Sequence, residues 1–181
     1  MTAFANSADI LKTTKLAPDS QPVGHAGLKI AMRNVAGGVS VVTAGYGADR
    51  TGATVTSATA LSVDPPAMIV SINRTSSTWP VIQQHGHFCV NYLTAEQRAI
   101  AERFAGLGGL KGVERYQGAE WLARHSGASI LVGALAAIDC EVEDIIERHS
   151  HAIIIGRVAD IQTGSGEPLV YHNGQYGRFR S

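Results

Sequence analysis

Apolar and polar positions alternate in short runs along most of this chain, and few runs are long enough for a helix. Leu28, Met32 and Val35 fall at spacings of four and three, which predicts a short amphipathic helix over Gly27 to Val35, ended by Gly37-Gly38. Val39 to Thr43 reads as a β-branched strand, and the Gly-, Asp- and Arg-rich segment Gly45 to Gly52 as a hairpin turn. Ala53 to Ala60 alternates Thr54, Thr56 and Ala58 with Val55, Ser57 and Thr59, which predicts a strand with one small, polar face. After Pro65-Pro66 come an apolar strand, Met68 to Ile72, a short helix within Thr75 to Gln84, and a strand from Phe88 to Leu93.

Thr94-Ala95-Glu96-Gln97 has the form of a capping box and starts a helix through Ile100 to Phe104, stopped by Gly106, Gly108 and Gly109. Ala136, Ile138, Cys140 and Val142 alternate with acidic residues as in a half-buried strand, and Ala152 to Ile155 is wholly apolar. Leu169 to Tyr171 starts one more strand, with Asn173-Gly174 as its turn. Many short strands with few helices predict a mainly β fold: a closed or nearly closed antiparallel barrel with peripheral helices. The strand–glycine-rich turn–helix signature of a Rossmann domain is missing, so a nicotinamide cofactor would be bound some other way.

The 181 residues suit one domain, taken as 25–181 behind a flexible, polar N-terminal arm, 1–24. Fifteen basic and fifteen acidic side chains cancel, leaving no footprint for nucleic acid or an anionic membrane. The first residues lack the charged head and apolar core of a secretory signal, and no apolar run is long enough to span a membrane. A cytoplasmic location is expected. Cys89 and Cys140 sit in apolar, strand-like runs, and buried, inert thiols are expected rather than a disulfide.

Five segments carry candidate chemistry. The first, Gly52 to Ser62 followed by Asp64-Pro65-Pro66, offers a surface of small side chains with N–H and hydroxyl donors, which suits a flat isoalloxazine ring; an unliganded edge strand would look the same. The second, Asn73 to Pro80, puts Thr75, Ser76, Ser77 and Thr78 at a helix start beside Arg74, as a phosphate site requires and as plain N-capping would too. In the third, Arg103-Phe104, the arginine is either a second phosphate partner or a solvated residue at a helix C-terminus. The fourth is His149-Ser150-His151, whose two imidazoles would share a strand face, a spacing that His85 and His87 repeat; Cys89 and Glu147 are nearby but complete neither set convincingly, so no metal is expected, and His151 reads as a donor beside a cofactor or as a plain surface histidine. In the fifth, Pro168 to Tyr176, Tyr171, His172 and Tyr176 could stack on a nicotinamide or flavin face, or simply cover a terminal hairpin.

In order and spacing these segments resemble the flavin reductase-like family of FMN-binding split β-barrels, from about Met32 to Phe179. The most specific stretch is Gly52 to Pro66, then Phe88 to Leu93, Arg103 to Gly106 and the strand pair ending in Tyr171 and Tyr176. Glu114-Arg115-Tyr116 and Trp121 resemble members serving 4-hydroxyphenylacetate-type hydroxylases, and Ser71 to Arg74 with Trp79-Pro80-Val81 resembles pyrimidine-degradation members. The resemblance implies an antiparallel, Greek-key split barrel. It places Thr54, Val55, Thr56, Ser57 and Ala58, with Ala60 and Leu61, along the isoalloxazine and ribityl chain. Ser76, Ser77 and Thr78 would hold the phosphate, with Arg103 and Phe104 closing the pocket. His151 and the turn Tyr171, His172, Asn173 and Gly174, with Tyr176, would lie where nicotinamide enters. It also implies a homodimer with flavin near the interface.

Two departures stand out: the family often has Gly-Asp-His at His149-Ser150-His151, and relatives can carry a basic residue at Ser77, which leaves phosphate neutralisation to Arg74 or Arg103 or else weaker. The expected reaction is hydride transfer from NADH or NADPH to FMN or FAD, with reduced flavin passed to a partner monooxygenase. No 2′-phosphate arginine pair is evident, which favours NADH. It needs two rings stacked with reacting atoms about 3–3.5 Å apart and no acid–base residue. A non-catalytic flavin- or haem-binding module, and an enzyme acting on its own organic substrate at a bound flavin, are the rival readings.

Overall fold

The structure, a computed structural model, describes residues 24–179. The chain divides into two compact units, 1–32 and 33–181. The first contributes most of helix α1 (His25–Arg33); the expected N-terminal arm lies outside the described residues, Gly24 apart. No helix among the described residues is long and apolar enough to cross a membrane.

The second unit is built on antiparallel strands: β1 (Gly37–Gly38), β2 (Ser40–Ala44), β3 (Thr51–Val55), β4 (Thr59–Val63), β5 (Pro66–Asn73), β6 (His87–Tyr92), β7 (Trp121–Ala123), β8 (Ser129–Leu131), β9 (Ala136–Arg148), β10 (His151–Thr163), β11 (Leu169–His172) and β12 (Gln175–Arg178). Two helices interrupt them, α2 (Thr78–His85) and α3 (Arg98–Phe104). Seven strands form one sheet in the order β3-β2-β6-β9-β10-β5-β4; β1-β11-β12 and β7-β8 are separate small sheets. The chain runs directly from β3 at one end of the large sheet to β4 at the other through only Thr56, Ser57 and Ala58. So short a link requires the two edges to approach, and the sheet curls into a split barrel.

Two expectations are corrected here. Gly37-Gly38 does not simply end a helix: α1 stops at Arg33, and the glycines pair as β1 with Val170 and Tyr171. Ala53 to Ala60 is not one strand but the end of β3, the three-residue crossing and the start of β4. The capping box is present, with Thr94 N–H donating to Gln97 Oε1 at 3.0 Å ahead of α3.

Every residue of β2 is buried, because both its faces are covered. Val42 joins the core inside the barrel with Val70, Ile72, Ile82, Phe88 and Ile154, while Val41 joins a second core with Ala101, Phe104, Tyr116 and Leu131. Phe88 fits inside only because residue 156 is glycine: a Cβ there would lie 2.6 Å from its ring. Cys89 and Cys140 are both free and buried, in different core clusters, and burial pushes both thiols up, Cys140 to about 12.

Candidate flavin site

The split between β3 and β5 holds a cavity of about 300 Å³, lined by Ala53, Thr54, Val55, Thr56, Ser57, Ser71, Ile72, Asn73, Ser76 and His151. The small-side-chain ribbon and the hydroxyl cluster before α2 therefore meet in space. β4 pairs with β5 only as far as Thr59 and Ile69; two residues back, the Ser57 hydroxyl takes over and donates to Ser71 C=O at 2.9 Å. Thr51 Oγ1 lies 3.4 Å from Ser77 Oγ, tying the start of β3 to the start of α2. Thr54 Oγ1 donates to Ala101 C=O at 2.6 Å and anchors the ribbon on α3.

The register brings in His151. It stands opposite Asn73 across the β10–β5 ladder, and Ile153 stands opposite Ser71. Its Nδ1 is 2.9 Å from Ser150 Oγ, so serine supplies a partner where the family often has aspartate. His149 takes φ 52°, a backbone region that glycine enters more freely, which accounts for the glycine often found there in relatives. Arg74 is not free for a phosphate: it pairs with Glu147 at 2.5 Å and donates to His149 C=O at 3.2 Å, fixing the β9–β10 turn beside the cavity.

A second cavity, of about 240 Å³, lies against the same ribbon and is lined by Val39, Thr54, Val55, Thr56, Ala105, Tyr171 and Tyr176. The two tyrosine rings meet edge to face, 5.1 Å apart. His151 and Tyr171 thus border one ribbon from different cavities.

Other expected residues lie elsewhere. Phe104 is buried in the second core, packed 5.0 Å from Tyr116 beneath Gly52, where a Cβ would meet its ring at 2.8 Å. The Arg103 guanidinium lies over Gly118, not at the Ser76 cavity. Ala58 packs against the barrel core, and Ala60 and Leu61 are exposed on β4. His172 faces a third cavity with Gln175, Tyr176 and Phe179, while Asn173 and Gly174, at φ 49° and 83°, make the hairpin turn. Ser77 is exposed and Thr78 buried. Among the described residues no three His, Cys, Asp or Glu side chains group to hold a metal.

Ser71 and Asn73 are cavity residues that strand periodicity alone did not single out. Their alternation with buried Val70 and Ile72 was a readable signal for an outward polar row.

The residues present fit a phosphorylated flat ring. Ser76 Oγ, on the cavity wall, and Thr78 Oγ1, which does not line the cavity, are buried without a hydrogen-bond partner; at Ser76 a phosphate oxygen would relieve that costly state. Three nearby N–H groups are already spent in the turn, Thr75 on Asn73 Oδ1, Ser76 on Asn73 C=O and Trp79 on Ser76 C=O, so the Ser76 hydroxyl carries more of that task.

Residues 32–180 match the model of the flavin reductase like domain. The chain belongs to that family. An FMN reductase (NADH), RutF 2, of Methylorubrum extorquens is 35% identical over 162 residues, covering 89% of this chain and 93% of that protein. The reductase component of a 4-nitrophenol 4-monooxygenase/4-nitrocatechol 2-monooxygenase of Rhodococcus opacus is 32% identical over 88% of this chain and 83% of its own length. Among solved structures, the Streptomyces globisporus NADH:FAD oxidoreductase SgcE6 in complex with NAD and FAD fragments superposes with a TM-score of 0.79 at 25% identity, covering 91% of this chain and 98% of that one. This flavin reductase-like chain spans more than four fifths of each of these three proteins.

Proposed function

We propose that this protein is an NADH:flavin oxidoreductase that reduces FMN or FAD and releases it to a partner monooxygenase. The observation that carries the reading is the cavity in the barrel split, where a ribbon of small side chains faces the buried Ser76 hydroxyl, which has no partner. When bound, the flavin supplies the hydride-accepting ring. The protein binds and orients. Thr54 to Ser57 give the ring a surface free of bulk, Ser76 takes the phosphate, and His151, held through Ser150, orients the nicotinamide beside the ring. Tyr171 and Tyr176 shield the ribbon from water. Thr56, Ser57, Asn73 and His151 are exposed, so the cavity opens to solvent, as release of a reduced product requires.

The working form is a homodimer. Ile153, exposed on β10, and half-buried Ile69 and Ile155 continue the same outward sheet face as Ser71, Asn73 and His151, so a second copy seated there would border the cavity. Two free, buried thiols suit a reducing cytoplasm.

The test is oxidation of NADH by the purified chain with free FMN or FAD. NADH loss that depends on added flavin is expected. No loss would favour a binding module, and loss needing a third organic compound would favour an enzyme with its own substrate.

A further inference from the structure

β3 is an end strand of the seven-stranded sheet, with β2 on one side and no strand on the other among the described residues. End strands are soft unless something covers them. Here a 3-10 turn, Gly112–Tyr116, packs on the start of the strand, beside the contacts that α2 and α3 make with it. Arg115 Nη1 donates to Gly52 C=O at 2.7 Å, and the Tyr116 hydroxyl donates to Thr51 C=O at 2.6 Å.

Both donors are themselves held. Arg115 Nε is fixed on Leu110 C=O at 2.9 Å. Tyr116 is buried; its ring packs edge-on against Phe104 and Trp121, at 5.0 and 4.9 Å, and the Arg50 guanidinium lies 4.3 Å above it. Trp121 Nε1 donates to Tyr116 C=O at 3.0 Å, and the turn is closed by Lys111 N–H on Glu114 Oε2 at 3.0 Å. Burial holds the phenol well above its ordinary range, so it remains a donor. A phenylalanine would fill the same space; the hydroxyl adds the bond to Thr51 C=O and an interaction with the Ser129 side chain. Thr51 is also the residue whose hydroxyl reaches Ser77, and Gly52 directly precedes the cavity-lining run.

We propose that Arg115 and Tyr116 are positioning residues that fix the ribbon 53–57 from behind and thereby set flavin affinity. The functional half of this rests on the flavin reading above; the mechanical half does not.

The test uses the full chain with Tyr116→Phe, Arg115→Gln and Arg115→Lys. Hydrogen exchange without flavin is expected to quicken at the amides of residues 53–57 in Tyr116→Phe, by about fivefold for one lost hydrogen bond, with β9–β10 amides unchanged. The flavin KM rises by about the same factor with kcat within about twofold, and Arg115→Lys, which keeps a cationic donor, is milder than Arg115→Gln. Unchanged exchange at 53–57 in both Tyr116→Phe and Arg115→Gln, or quickening spread evenly over the protein, would overturn the proposal. So would local quickening with an unaltered flavin KM. If the wild-type chain reduces no flavin, the functional reading fails, and the exchange pattern still decides whether the pair fixes the ribbon.

Discussion

His151 occupies the first position of β10, exposed, with its ring held by Ser150 rather than by a carboxylate. Serine fixes orientation without adding charge, so in the proposed reaction the imidazole would act by placement. His151→Ala is therefore expected to cut NADH turnover by on the order of tenfold, since misplaced reactants lose rate steeply, and to leave the flavin KM nearly unchanged. Steady-state kinetics with flavin and NADH varied separately check this; full turnover would remove His151 from the reaction. At this scale the sequence was readable where residue types are unusual for their setting. Thr54 to Ser57 drew notice because hydroxyls alternate with small side chains. Ser71 and Asn73 were named only within longer segments and not as site residues, because polar residues on an outward row look like any solvated positions until the pairing with His151 is known. Phe104 misled for a similar reason: an aromatic after a capped helix reads alike whether it faces a ligand or a core, and only its seat under Gly52 decides.

The break between β3 and β4 left no mark in the residues that make it. Thr56-Ser57-Ala58 contains no glycine or proline, and the alternation runs straight through. The crossing is imposed by barrel closure, a tertiary demand. The hairpin at Asn173-Gly174 and the capping box at Thr94 were legible because each is specified locally by its own side chains. Another junction of elements bears on stability. His87, at the start of β6, is buried and stacks on His85 from α2, centroids 5.6 Å apart, with Nε2 unpartnered. Burial, and then His85, lower its pKa from 6.5, while Asp139 on β9 and the backbone at Ser126 and Gly45 oppose that shift. The unfolded chain thus binds a proton at His87 more readily than the folded one. Stability is full above about pH 6.5 and falls as pH drops from there toward the lowered value. Urea midpoints measured between about pH 7 and pH 5 should fall for the wild type and fall less for His87→Gln. Equal pH dependence in the two would count against this assignment.

At the scale of the barrel, the proposed function follows from where the sheet fails to close. The seven-stranded sheet brings its two ends together through three residues, and the remaining gap is the cavity. The outward face beside it carries exposed Ile153, so the surface proposed for a second copy and the surface proposed for flavin are continuous. The most direct measurement is a titration of the amide-labelled chain with FMN, followed by NMR. Saturable shifts are expected together at residues 53–57 and 71–78, with His151 among them. Shifts gathered instead around His172 to Phe179, or none that saturate, would contradict a flavin site in the barrel split.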